Sequence, residues 1–168
     1  MRPDGCDAAV PLSAPSRRRR PEISPTQRAL GLLTRREHSR VELTRKLTSR
    51  GVEREDAQAV VDNLAKAGWQ DDMRFAELLV RSRANTGFGP VRIRAELATH
   101  ALSAEIIATA MEGFEHDWSG NASDLLRRRH PAALSGDRVA QRKAADFLLR
   151  RGFGMDQVTA ALRSSPDE

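Results

Sequence analysis

From Ser24 onward the apolar residues recur at helical spacing. Ala29, Leu30, Leu32 and Leu33 mark a first helix over residues 28–37, announced by Ser24-Pro25, a cap residue and then proline at the first helical position. Ser39-Arg40-Val41-Glu42 reads as a capping box opening a second helix, with Val41, Leu43 and Leu47 inside and Gly51 at its end. A third helix carries Ala57, Val60, Val61 and Leu64 and closes at Gly68. The series then starts again. Phe75, Leu78 and Leu79 lie in a helix over residues 72–86. Gly89-Pro90 opens one with Val91, Ile93 and Leu97, and Ser103 caps one with Ile106, Ile107, Ala110 and Met111. The third instance begins with a short helix over residues 124–129 holding Leu125 and Leu126. A helix from Asp137 with Ala144, Phe147 and Leu148 follows, broken by Gly152, and then a last one with Val158, Ala161 and Leu162.

The three series superpose. Leu47, Leu97 and Leu148 correspond, as do Gly51, Ala101 and Gly152, then Ala57, Ile107 and Val158, then Val61, Met111 and Leu162, with offsets of 50 and 51 residues. That period is too long for tetratricopeptide or ankyrin repeats. A unit of this size has little core of its own, so neighbouring units are expected to pack end to end. The expected architecture is therefore all-α: three tandem three-helix repeats in an elongated array, open to curvature, over residues 25–69, 70–116 and 117–168. Residues 1–24 hold four prolines and the run Arg17-Arg18-Arg19-Arg20 without apolar period, and read as a disordered basic tail.

Charged positions do not follow the repeat: Arg45 aligns with Ala95 and Asp146, and Glu42 with Arg92 and Lys143. This argues against a one-nucleotide-per-repeat code and for a scaffold whose units face different parts of one partner. The net charge is +5 over 168 residues. By segment it is +2 in the tail, +3 and −2 in the first two units and +2 in the third, so the basic excess lies at the ends. Of 28 basic residues, 25 are arginine. One cysteine, Cys6, and four histidines exclude a disulfide framework and a structural zinc site of the usual kind. The longest apolar run, from Ala29 to Leu33, is five residues, far below a membrane span. A soluble cytoplasmic protein is the expectation.

No catalytic constellation emerges, and neither a cofactor nor a metal is expected. Cys6 lies in the tail. His38 reads as a turn residue near a helix C-terminus, where an imidazolium suits the dipole, and His100, His116 and His130 also stand near helix ends. Asp71-Asp72 reads as a helix cap, Gly87-Phe88-Gly89-Pro90 as a turn, and Trp69 and Phe88 as packing residues. The second and third helices have the outline of a helix-turn-helix. The would-be reading head is Glu53-Arg54-Glu55-Asp56, which repels phosphate, so sequence-specific DNA reading is not expected. Backbone contact is compatible with the arginine clusters, and local ion pairs such as Glu42 with Lys46 at i,i+4 are the competing explanation.

Three stretches resemble the RecX family of bacterial regulators of the recombinase RecA. Arg35-Arg36-Glu37-His38-Ser39-Arg40-Val41-Glu42-Leu43 resembles its opening signature. Asp72-Met73-Arg74-Phe75-Ala76 with Arg81-Ser82-Arg83 and Gly87-Phe88-Gly89-Pro90-Val91-Arg92-Ile93 resembles the central one. Phe147-Leu148-Leu149-Arg150-Arg151-Gly152-Phe153 resembles the closing one. The matches keep the family's order and cover residues 25–163. The resemblance implies a non-enzymatic protein that binds the RecA filament in its helical groove. The chain itself is expected to be a monomer, with exchange of loosely tied three-helix units into a swapped dimer as the alternative. The resemblance also implies lowered RecA ATPase, strand exchange and co-protease activity, and through these control of recombination, DNA repair and the SOS response. The alternative is a stand-alone, sequence-nonspecific protein covering single- or double-stranded DNA, for which aromatic stacking platforms are lacking. Departures from the pattern are Ala101 where glycine is usual, Trp69 where an aliphatic residue is expected, and His130-Pro131 in place of a basic–aromatic stretch.

The candidate contacts to partner or DNA are Arg35, Arg36, Arg40, Arg45, Lys46 and Arg50 in the first unit and Arg81, Arg83, Arg92 and Arg94 in the second. The third unit supplies Arg127, Arg128, Arg129, Arg150 and Arg151. Reversing Arg36, Arg40 and Arg45 to Glu is expected to weaken inhibition without unfolding the chain.

Overall fold

The computed structural model describes residues 23–114 and 117–163. Residues 1–22 (with Cys6 and Arg17–Arg20), His116 and the last five residues lie outside them. Among the described residues there are nine α-helices and no strand: α1 (Pro25–Leu33), α2 (Arg40–Thr48), α3 (Arg54–Lys66), α4 (Asp72–Asn85), α5 (Pro90–Ala98), α6 (Ala104–Glu112), α7 (Trp118–Arg129), α8 (Arg138–Arg150) and α9 (Met155–Arg163). A 3-10 turn over Pro131–Ser135 leads into α8.

Each set of three helices closes on its own core. Ala29, Leu32, Leu43, Leu47, Ala57, Val61 and Leu64 form the first. Phe75, Ala76, Val80, Ile93, Leu97, Ala110 and Met111 anchor the second. Ala122, Leu125, Leu126, Ala144, Leu148, Phe153, Val158 and Ala161 anchor the third, with Ala133 of the 3-10 turn beneath α8. The repeat leucines Leu47, Leu97 and Leu148 are fully buried. Each cluster draws its buried residues from one unit, and Trp118 of α7 packs across onto the second.

Short polar side chains start the helices. Ser24 and Gln27 make a reciprocal capping box at α1, and Asp71 accepts from the Met73 and Arg74 amides at α4. Ser39, Ser103, Asp117 and Asp137 cap α2, α6, α7 and α8. Left-handed residues stop the second helix of each unit: Gly51, Ala101 and Gly152, with φ of 84°, 52° and 88°.

Several expectations are corrected. α1 ends at Leu33 rather than Glu37, because the chain turns after the Thr34 cap and folds His38 inward. At Ser39 the box is only half made: Ser39 Oγ accepts from the Glu42 amide, but the Glu42 carboxylate turns to Arg36 instead. Val41, Leu78 and Val91 are exposed, since the residue just inside a helix start faces away from the core and Leu78 lies over a cleft. Trp69 is 60% exposed rather than packed. α7 begins six residues before the short helix expected at Asp124, started by the Asp117 cap and held by Trp118 against Phe114, with ring centroids 4.6 Å apart.

Candidate partner-binding surface

The arginines fall into two classes once folding has chosen their neighbours. In the first unit the Arg36 guanidinium grips Glu42 with both nitrogens, at 3.2 and 2.5 Å. The Glu42 carboxylate is nearly buried, with Lys46 Nζ at 3.7 Å and His38 Nδ1 at 3.0 Å. The histidine contact is short but lacks the alignment of a straight hydrogen bond. Burial pushes Glu42 toward its neutral form, but the Arg36 hydrogen bonds, with the close approach of His38, outweigh it and hold its pKa below the ordinary value. His38 is 2% exposed, and burial lowers its pKa despite the carboxylate beside it. It is therefore a buried neutral residue and not the imidazolium at a helix end that its position suggests.

Arg40 is engaged twice: its side chain pairs with Asp62, and its backbone amide donates to Asp72 Oδ1 at 3.0 Å. Arg83 forks onto Glu96 at 2.8 and 2.6 Å, and the Arg83 hydrogen bond lowers the Glu96 pKa. Arg81 lies 3.9 Å from Glu77, and Arg127 lies 3.1 Å from Asp124. Arg128 Nε donates to the Asp124 carbonyl. Arg92 and Arg151 stack on Phe88 at 4.9 and 5.0 Å, and Arg151 also faces Phe147 at 5.2 Å.

The remaining candidates, Arg35, Arg45, Arg50, Arg94, Arg129 and Arg150, are exposed and make no ion pair within 4 Å among the described residues. Arg45 and Arg54 line an open groove of about 780 Å³ between α2 and α3, along with Val41 and Thr44. Sequence reasoning passed over a third group. Its new members, Arg138, Arg142 and Lys143, join the candidate Arg150 on the exposed surface of α8, spaced to share one side of the helix, and none of the four makes an ion pair among the described residues. The row is about 18 Å long at helical rise. Its spacing was visible in the sequence, but no motif singles it out.

No group of three or more His, Cys, Asp or Glu is placed to hold a metal among the described residues, and no helix among them is long and apolar enough to cross a membrane. What the surface offers is fixed positive charge on rigid helices, suited to an anionic partner.

Three family models match in chain order: RecX, first three-helix domain, over residues 26–64; second three-helix domain, over 71–111; and third three-helix domain, over 120–162. The chain is 61% identical over 153 residues to "Regulatory protein RecX" of Stenotrophomonas maltophilia (strain R551-3), covering 90% of this chain and 94% of that one. It is 56% identical over 151 residues to the protein of the same name from Xanthomonas axonopodis pv. citri (strain 306), covering 89% and 93%. The crystal structure of RecX from Lactobacillus salivarius matches with a TM-score of 0.70 at 24% identity, over 83% of this chain and 92% of that one, a likeness of fold. With all three domains matched in sequence and a relative this similar over nearly its whole length, the chain belongs to the RecX family of regulatory proteins.

Proposed function

We propose that the chain regulates RecA by binding its filament, lowering ATP hydrolysis, strand exchange and co-protease activity. The observation that carries this reading is the in-order match of all three units to RecX domains together with 61% identity to a named RecX regulatory protein. The separate cores support it physically: three modules in series can each face a different place on an extended partner.

The unpaired cations are the proposed contacts: Arg35, Arg45 and Arg50 in the first unit, Arg94 in the second, and Arg129, Arg138, Arg142, Lys143 and Arg150 in the third. A filament groove offers acidic side chains and DNA phosphates, and both attract this charge. A ligand that spans neighbouring subunits stabilises whichever subunit geometry it binds better, and so opposes the cycle between nucleotide states. The role is regulatory and uses no catalytic group of its own.

The deciding experiment measures ATP hydrolysis by RecA on single-stranded DNA with increasing amounts of the chain. Suppression at substoichiometric amounts is expected. An unchanged rate with the chain in excess would refute the proposal. The rival, a protein that simply covers DNA, is favoured only by the unpaired row on α8. It predicts tight binding to bare DNA with a steep salt slope, unaffected by RecA.

A further inference from the structure

The relative placement of the three units is set at two joints, and the two are built differently. Between the second and third units, backbone meets backbone. The Gly89 amide donates to the Arg151 carbonyl at 2.8 Å and the Val91 amide to the Gly152 carbonyl at 3.0 Å. These amides lie at the start of α5 and have no partner within it, and the carbonyls lie at the end of α8. The positive end of one helix thus rests on the negative end of another.

Only glycine permits this. A Cβ on Gly89 would overlap the Gly152 peptide, and a Cβ on Gly152 would overlap Arg92. A Cβ on Gly87 would press on Leu125 of α7. Phe88 sits between the Arg92 and Arg151 guanidinium groups, and Arg151 Nη1 donates to the Thr86 carbonyl at 3.3 Å. With no side chain between the two backbones, there is no rotamer through which the contact can adjust.

Between the first and second units, apart from the Gln70 amide donating to the Leu64 carbonyl at 3.3 Å where the chain passes from one unit to the next, every bond ends on a side chain. Ser39 Oγ meets His100 Nδ1 at 2.8 Å. Asp72 Oδ1 accepts from the Arg40 amide at 3.0 Å and is held within its own unit by Gln70 Nε2 at 2.9 Å. Gln70 Nε2 also donates to the His38 carbonyl at 3.2 Å, and Arg74 Nε donates to Glu37 at 2.9 Å. Ser39 and Gln70 are buried, so these bonds persist, but a side chain can follow a shift of its partner by turning about its own rotatable bonds, which a bond between two backbones cannot do. Beside them lies an open cleft of about 580 Å³, with Arg36 and Glu42 on one side and Leu78, Arg83 and Glu96 on the other. The cleft gives the first unit room to move.

We infer that the second and third units form one rigid body and that the first unit is an arm pivoting at the Ser39–His100, Arg40–Asp72 and His38–Gln70 contacts. Gly89 and Gly152 are then positioning residues: they fix the α8 cations relative to the second unit, while the first-unit cations adapt their distance to the partner. This holds whether or not the partner is RecA.

The test is pulsed electron-spin distance measurement on the full chain carrying Cys6→Ser. One label pair, Arg54→Cys with Glu105→Cys, spans the first joint. The other, Glu105→Cys with Arg142→Cys, spans the second. The distance distribution across the first joint is expected to be at least about twice as wide as across the second, reflecting collective motion of a whole unit. Gly89→Ala should widen the second distribution with helicity retained and leave the first unchanged. Equal widths in the unsubstituted background, or the wider one at the second joint, would overturn the inference, as would a second distribution left narrow by Gly89→Ala.

Discussion

Gly51, Ala101 and Gly152 hold the same place in the three units, and the backbone is left-handed at each. Among the described residues Ala101 is the one non-glycine with positive φ, at 52°. An L-residue there costs about 1–2 kcal/mol from the crowding of Cβ against the following carbonyl. Glycine removes that cost but brings about 0.5–1 kcal/mol of extra freedom in the unfolded chain. The Ala101 side chain is exposed, so no core packing is lost with its methyl group. Ala101→Gly should therefore stabilise the protein by roughly 0.5–1 kcal/mol. Gly51→Ala is the reciprocal change: its Cβ would meet nothing within 4 Å, so it isolates the strain and should destabilise by a similar amount. Gly152→Ala should cost more, because it adds the overlap with Arg92. Urea unfolding followed by circular dichroism reads the series, provided the slope is unchanged. The expected order of midpoints is Ala101→Gly, wild type, Gly51→Ala, Gly152→Ala. An Ala101→Gly midpoint at or below wild type would show that chain entropy outweighs the strain, and the reasoning would fail.

His38 gives a pH prediction. Its folded pKa lies below the ordinary 6.5, so its contribution to stability is complete above that pH and is lost as pH falls through 6.5 toward the folded value. Glu42, also lowered, adds a second loss below 4.5. Melting temperature across this range should fall on acidification, and His38→Gln should flatten the upper step; an identical profile in the variant would exclude His38 as its source. On α8, the triple change Arg138→Glu, Arg142→Glu and Lys143→Glu should weaken binding to single-stranded DNA and reduce its salt slope, with the melting temperature kept. An unchanged titration would remove α8 from the contact surface.

The cores were legible because a buried helix face repeats in sequence: Leu47, Leu97 and Leu148 mark it at each unit, and all three are fully buried. What escaped depends on groups far apart along the chain. Val41 and Val91 follow a helix cap, where composition does not reveal which way the side chain points. The start of α7 is masked by Ser119-Gly120-Asn121, residues that favour turns, although Asp117 is an ordinary cap. His38 reads as a turn residue until the Glu42 and Gln70 contacts are seen.

The same physics separates the structural arginines from the free ones, and it changes which substitutions can test a binding surface. Arg36, Arg40 and Arg45 look equivalent in sequence, all basic and close together. Arg36 holds a nearly buried carboxylate across a loop, and Arg40 pairs with Asp62 on α3. Arg36→Glu would set two carboxylates against each other and cost about 2–3 kcal/mol, the worth of a charged hydrogen-bonded pair left broken in a buried place. Reversing all three would thus lose inhibition by damaging the first unit, whatever that surface binds. Arg35, Arg45 and Arg50 carry the same charge without such partners. Their reversal to Glu should leave the melting temperature within about 1 °C, since exposed unpaired charges contribute little to stability. It should raise the amount of chain needed to suppress RecA ATP hydrolysis. Unchanged suppression by this triple variant, with Arg36→Glu alone impairing both stability and suppression, would mean that the first unit acts through its fold and not through its free charge.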